Sequence, residues 1–424
     1  VKELKPYRIL LGLMISAYGN TALADGYGVF DARTQSLGGT GVALGSLTTG
    51  HFYNPALTAF HEGHEERTQD GSHSFHSVLS ISDGARTTLD MVSDDLESRL
   101  SDAIDNLNAN LTEETAREGL EAAWDLNAAI RKLDGKSINA DAYVGYSISI
   151  PADLEGGTFF VGSRAIGRGV SDIRPEDYDL LDDYIEVLKF IESGGSDGVD
   201  HPELRDGDGN LLNPGLRMQS SGSGVAVLLS ELGVSAAKQY PLWGQQVSLG
   251  IAPKVVHLRL FHEYWRAVNG EFENVGEDET DLYFNLDVGA AVTLAEVWRV
   301  GLAIKDVRSK SVSTESGRRV RLKPHARLGV AYIGNSWSAG LDADLDKTKD
   351  IQDIDQRQDV SLGIEYRTSF GMALRTGYRH DLAGSVDDQL SAGIGWEIAR
   401  LRLDLTYAQG SDSQGAALHI GWAH

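Results

Sequence analysis

From residue 138 to its end, the chain alternates between apolar and other side chains rather than following a helical period. In INADAYVGYSISI, Ile138, Ala140, Ala142, Val144, Tyr146, Ile148 and Ile150 share one face. Leu282, Phe284, Leu286, Val288, Ala290 and Val292 do the same in LYFNLDVGAAV. The last third repeats the pattern, for example in Val360/Leu362/Ile364/Tyr366 and Leu401/Leu403/Leu405/Tyr407. Segments of about ten residues with this period are the signature of membrane-spanning strands. Fourteen candidates begin near residues 72, 138, 156, 221, 245, 281, 298, 319, 336, 359, 371, 388, 400 and 415.

The connections alternate in length. Long ones (84–137, 172–220, 266–280, 306–318, 347–358, 381–387, 409–414) exchange with turns of a few residues, such as Gly334-Asn335 and Ile398-Ala399. Short turns at one rim and long loops at the other predict a closed antiparallel barrel. Trp243, Trp298, Trp337, Trp396 and Trp422 all fall at the short-turn rim, as an interfacial aromatic girdle requires, and Trp265 falls at the opposite rim. Closure also satisfies every backbone group in lipid.

The faces turned inward are charged. Arg321, Lys323, His325 and Arg327 on one predicted strand meet Asp342, Asp344 and Asp346 on the next. Asp359, Glu365, Arg367, Arg375, Arg379, Arg402 and Asp404 continue the series, which predicts cross-strand ion pairs in the lumen. Two long connections read as helical. Leu89, Val92, Leu96, Leu100, Ile104, Leu107 and Leu111 recur every three or four residues, and a second helix starts at Thr112 and stops at Gly135. Leu181, Tyr184, Ile185, Leu188 and Ile191 follow Pro175 in the other connection. Helical insertions are therefore expected at about 86–134 and 175–193.

The N-terminus changes the compartment. Lys2, Lys5 and Arg8 precede an apolar run from Ile9 to Ala17 and an Ala22-Leu23-Ala24 cleavage signal. That run is far shorter than the roughly 18 residues of a spanning helix, so residues 1–24 read as a secretory signal peptide. Its removal takes away three basic residues and one acidic one, leaving 38 − 3 = 35 Lys+Arg against 62 − 1 = 61 Asp+Glu, a net charge of −26. So acidic a surface excludes nucleic acid as a partner. The absence of cysteine excludes disulfides, thiol chemistry and Cys-ligated metal.

Between signal and first strand lies a compact segment, residues 25–71, containing SLGGTGVALGSLTTGHFYNPALTAF. Gly39-Thr40-Gly41 lacks the Gly-Lys-Ser/Thr end of a phosphate loop. A single Asn54-Pro55-Ala56, without spanning helices, excludes a water-channel motif. The segment reads as a plug whose glycines permit close approach to the wall.

This order of Gly-rich segment, Phe-Tyr-Asn-Pro-Ala and fourteen strands resembles the FadL-like outer-membrane transporters of hydrophobic compounds. FDARTQSLGGTGVA, NLDVGAA (285–291), VGLAIKDV (300–307) and LDADLDKTK (341–349) resemble more closely the barrel family labelled conjugal transfer protein TraF. The thioredoxin-like protein of the same label is a different one, which a cysteine-free chain cannot be. The resemblance implies an N-terminal hatch with Asn54, Pro55 and Ala56 as its signature and Gly38, Gly39, Gly41 and Gly45 packing it. It also implies a lateral opening at a bulge in the third strand, where Gly162, Gly167 and Gly169 stand.

His51, His61, His64, His73 and His76 cluster, but read as polar hatch and rim residues rather than a metal set. Asp206-Gly207-Asp208-Gly209-Asn210 opens like a calcium loop, yet Leu211 and Arg217 break the pattern. No nucleophile–base or paired-carboxylate spacing points to an enzyme, and no cofactor or metal is called for. The expectation is an all-β transmembrane barrel of about 14 strands (72–424), with an N-terminal hatch and helical extracellular loops, in the outer membrane of a Gram-negative bacterium. Its partners would be outer-membrane lipid, a hydrophobic small-molecule ligand and the barrel-assembly machinery. Two functions stand open: passive uptake of small hydrophobic solutes, or a non-transporting structural or assembly part of a conjugal-transfer system.

Overall fold

The computed structural model describes residues 26–60, 71–152, 155–195, 201–242, 244–268, 271–315, 317, 319–349, 351 and 356–423. The signal-peptide reading, with Ala22 and Ala24, lies outside them, as do His61 and His64.

Fourteen antiparallel strands close into a barrel. In chain order they are β1 (Ser72–Ser82), β2 (Ile138–Ala152), β3 (Glu155–Asp172), β4 (Ser221–Leu242), β5 (Gln245–Val268), β6 (Glu271–Leu294) and β7 (Trp298–Lys305). After a two-stranded hairpin of β8 (Lys310–Ser313) and β9 (Arg319–Leu322) come β10 (His325–Ile333) and β11 (Trp337–Asp344). A second small hairpin, β12 (Thr348–Lys349) with β13 (Gln356–Arg357), precedes β14 (Asp359–Arg367), β15 (Met372–Asp381), β16 (Gln389–Ile398), β17 (Leu401–Gln409) and β18 (Ser413–Ala423). Each wall strand pairs with its chain neighbours, and β1 pairs with β18 to close the ring.

The period of two works as expected. Outward-facing Leu282 is 67% exposed and Leu390 62%, while the next residues in each strand turn inward and are buried. Such an apolar outer belt suits lipid, not water. Trp298, Trp337, Trp396 and Trp422 sit at the short-turn ends of β7, β11, β16 and β18. Trp243, and the side chain of Trp265, lie outside the described set.

Two expectations need correcting. Arg321 and Lys323 do not line the lumen, because Arg319–Leu322 folds back on Lys310–Ser313 and the wall strand starts only at His325. Pro324, with no N–H to donate, separates the two. Residues 271–280, expected in a loop, extend β6 instead and pair with β5 as far as Val268↔Glu271. The long β4–β6 ribbon rises above its neighbours and joins the β8–β9 hairpin through Val256, Leu258, Tyr283, Val312 and Val320, with Ile351 beside them.

The helices form a layer at the long-loop rim. They are α3 (Asp83–Ser93), α4 (Leu96–Ala109), α5 (Glu113–Leu133) and α6 (Pro175–Glu192), numbered after two short hatch helices given below. Their core contains Leu100, Ile104, Leu107, Leu120, Leu181 and Leu188. Full burial of each such side chain is worth about 1.5–3 kcal/mol. Thr112 caps α5 through the Thr115 amide, and Gly135 ends the run at φ +68°.

Candidate functional site

The site is the contact between residues 26–60 and the barrel wall. Within it, α1 (Ala32–Ser36) is capped by the Asp31 carboxylate and α2 (Gly50–Tyr53) is followed by a 3-10 turn, Pro55–Ala59. Nearly all of the segment is buried.

The Asn-Pro-Ala has a defined task. Asn54 accepts the Ala56 amide through its side chain and so caps the 3-10 turn, while Pro55 occupies the first position, where no N–H is needed. The Asn54 amide nitrogen donates to Val42 O at 2.9 Å within the hatch and to Ala290 O at 3.1 Å in β6. Ser248 of β5 then donates to Ala56 O at 2.7 Å. The tripeptide is a clip between hatch and wall.

The hatch glycines are distributed differently from one another. Gly38 and Gly39 have φ of +69° and +100°, a turn other residues adopt only with strain. Gly41 lies under the Tyr53 ring, and Gly45 packs on Gly41 O and Leu57.

The wall answers with glycines of its own, which sequence reasoning did not pick out. A Cβ on Gly250 of β5 would lie 2.3 Å from Ala56 N, and one on Gly289 of β6 only 1.9 Å from Asn54 Oδ1. On Gly301 of β7 it would meet Val42 O at 2.2 Å, on Gly377 of β15 Gly38 N at 2.0 Å, and on Gly393 of β16 Ser36 Cβ at 2.4 Å. Gly340 and Gly363 face Leu44 and Leu37 in the same way. These glycines sit beside one another in the wall: Gly250↔Gly289, Gly301↔Gly329 and Gly340↔Gly363↔Gly377 are direct cross-strand partners. They form a track on which the hatch backbone lies. The available signal was an apolar-Gly-apolar triplet recurring in strand after strand.

Charged groups fix the hatch on this track. Arg33 makes a two-pronged contact with Glu365 at 2.9 and 3.2 Å, and Glu365 also accepts from Arg375 and Arg367. Asp342 accepts the amides of Gly41 and Val42 at 2.8 Å, and Lys305 donates to Phe52 O at 2.7 Å. Deeper in the wall, Lys254 is buried among Glu231, Asp287 and Asp306, each at 3.0 Å. The predicted luminal ion pairs are therefore present, and they hold the hatch as well as the wall.

Gly162, Gly167 and Gly169 lie in β3, which pairs residue for residue with β4 along its whole length and with β2 from Glu155 to Gly169. No bulge is present at these glycines in this conformation, because the Tyr143 ring lies over the Gly145↔Gly162 pair and fills the space they leave. An interruption in pairing falls instead between β4 and β5, where Pro253 lacks a donor.

A luminal cavity of about 60 Å³ lies beside the hatch, lined by Arg164, Arg357, Arg379, Asp141, Gln389 and Tyr143 among others. A second, of about 190 Å³, opens among Leu100, Leu126, Asn213 and Met218 in the helical layer. His51 and His76 are buried between hatch and wall rather than exposed on a rim, and His73 stacks on Trp422 at 5.2 Å. Asp206 spends its carboxylate on Asp208 N, Asn210 N and the Asn210 side chain, so the 206–210 loop closes on itself. Ligand atoms of Asp183, His201 and Glu203 approach within 4.8 Å of one another on the helical layer. There His201 is hydrogen-bonded to Glu203 at 2.9 Å, an ion pair that accounts for the grouping.

The described residues thus form a fourteen-stranded antiparallel barrel closed by an N-terminal hatch that Asn54-Pro55-Ala56 clips to the wall. The fold matches a Pseudomonas aeruginosa FadL homologue over 93% of this chain and 98% of that one, at TM-score 0.51 and 10% identity. It also aligns with the Pseudomonas putida toluene transporter TodX (TM-score 0.48, 10% identity, 93% and 96% covered). The monoaromatic hydrocarbon channel CymD aligns at TM-score 0.46 and 11% identity, with 93% and 96% covered. No curated protein sequence matches the chain. Residues 51–344 match the family described as F plasmid transfer operon, TraF, protein, and the chain belongs to that family.

Proposed function

We propose that the protein resides in the outer membrane of a Gram-negative bacterium and admits small hydrophobic solutes past its hatch. The conformation described is then the closed one. The observation that carries the reading is a self-contained hatch seated on a glycine track, a contact that can separate without unpairing any wall strand. The apolar belt, the aromatic rim and the fold shared with a FadL homologue support it. Gly162 would matter only after Tyr143 leaves it, and a lateral exit at Gly162, Gly167 and Gly169 is part of this proposal.

A second reading is favoured by one specific observation. Among the described residues the hatch and ion pairs occupy the lumen, and the cavity beside the hatch holds only about 60 Å³, with Arg164, Arg357, Arg379 and Asp141 in its lining. A non-transporting structural or assembly part of a conjugal-transfer system would look so. Native mass spectrometry of the purified barrel, with lipid extraction, separates the two. A stoichiometric apolar ligand, lost on deletion of residues 26–60, is expected for uptake. An empty barrel, or ligand retention indifferent to the deletion, supports the structural role.

A further inference from the structure

Three histidines meet where the hatch touches the wall. His51 belongs to α2, His76 to β1 and His419 to β18, and they are 2%, 0% and 1% exposed. The His76 and His419 rings stack at 4.6 Å between centroids, 10° from parallel, and His51 stands edge-on to His76 at 6.4 Å. His419 Nδ1 donates to Asp404 at 2.8 Å. Among the described residues, its Nε2 and both ring nitrogens of His51 and of His76 have no hydrogen-bond partner.

Five buried nitrogens without partners are costly, since each such group forfeits about 1–3 kcal/mol. The surroundings of His51 also disfavour a charged ring. The remaining face of His51 is apolar, with Phe52 and Phe160 against it, and the charged group near it is the Lys305 ammonium of β7. His76 faces His419, His51, Arg402 and Asp404. Among the described residues, Asp404 is the anion that faces His76, and its oxygens are already held by Arg375, Arg402 and His419.

We propose that His51, packed against His76 of β1 where the hatch meets the wall, is an acid-sensitive latch, which seats the hatch while its imidazole is neutral and releases it when the ring takes up a proton. Protonation of His51 would place positive charge beside the Lys305 ammonium, across the hatch–wall contact. Burial pushes His51 down to about 3. A released hatch returns it to the ordinary value near 6.5, so the released state binds the extra proton over that interval. Seating is strongest above pH 6.5 and weakens by about tenfold per pH unit, for this one histidine, as pH falls toward 3. The inference concerns seating alone and holds whether or not a solute passes.

Hydrogen exchange of the full-length protein in detergent, read by mass spectrometry at pH 7.5 and 5.0 and corrected for intrinsic exchange, tests it. Amides of residues 41–58 should lose at least tenfold protection at pH 5.0, while β14–β16 stay protected. His51→Phe, matched to its aromatic surroundings, should abolish most of that loss. Unchanged hatch protection in the wild type would overturn the latch. So would an equal loss in β14–β16, or a full acid response in His51→Phe. Should that variant fail to fold, the wild-type comparison decides alone.

Discussion

The Asn54 side-chain oxygen lies 1.9 Å from the point where a Cβ on Gly289 would stand. One residue of the hatch signature thus depends on the absence of one methyl group in the wall. Overpacking a filled contact costs about 1–3 kcal/mol. Gly289→Ala should leave the barrel folded and loosen the clip. Protection of hatch amides 41–58 should fall roughly tenfold to a hundredfold, with little change in β14–β16. Equal protection in both proteins would mean that the glycine track is not what seats the hatch.

Glu365 holds Arg33 of the hatch together with Arg375 and Arg367 of the wall. Removing one partner of a buried ion network leaves uncompensated charge and costs about 3–5 kcal/mol. Glu365→Gln should therefore lower the thermal unfolding midpoint clearly, and Arg33→Met combined with it should recover part of the loss. A double variant no better than the single one would contradict the coupling.

In the helical layer, His201 is raised above its ordinary value, mainly by its hydrogen bond to Glu203. The sign follows directly. The protonated pair contributes fully below pH 6.5 and is lost as pH rises through the raised value. An NMR titration should find His201 above 6.5 in the wild type and close to 6.5 in Glu203→Gln. An unchanged titration would show that the pair does not form in solution.

Much of the wall was legible because lipid and lumen impose a strict period of two. Leu282/Phe284 and Leu362/Ile364 announce themselves wherever both neighbours are inward-facing. Reading failed where that pressure ends. Arg319–Leu322 alternates as a wall strand does, and only Pro324 hints at the break. In its first half β6 reads Glu271-Phe272-Glu273-Asn274-Val275-Gly276-Glu277-Asp278-Glu279-Thr280, so rich in charge that it looks like loop. The hatch signature was readable at Asn54-Pro55-Ala56. Its seat was not, because a strand glycine usually marks a weak point, and here each one is half of a contact made more than a hundred residues away. The histidine cluster joins α2 to β1 and β18, ends of the chain that only barrel closure brings together.

The central claim is that the hatch must leave its track for solute to pass. Leu44 Cβ lies 3.3 Å from the Cβ position of Gly340, close to the roughly 3.5–4.5 Å spacing of a disulfide. The chain has no other cysteine to interfere. The most direct measurement is uptake of a panel of small hydrophobic solutes by cells carrying Leu44→Cys with Gly340→Cys, oxidised and then reduced. The account predicts uptake lost when the hatch is tethered and restored by reductant. Equal uptake in both states would contradict it.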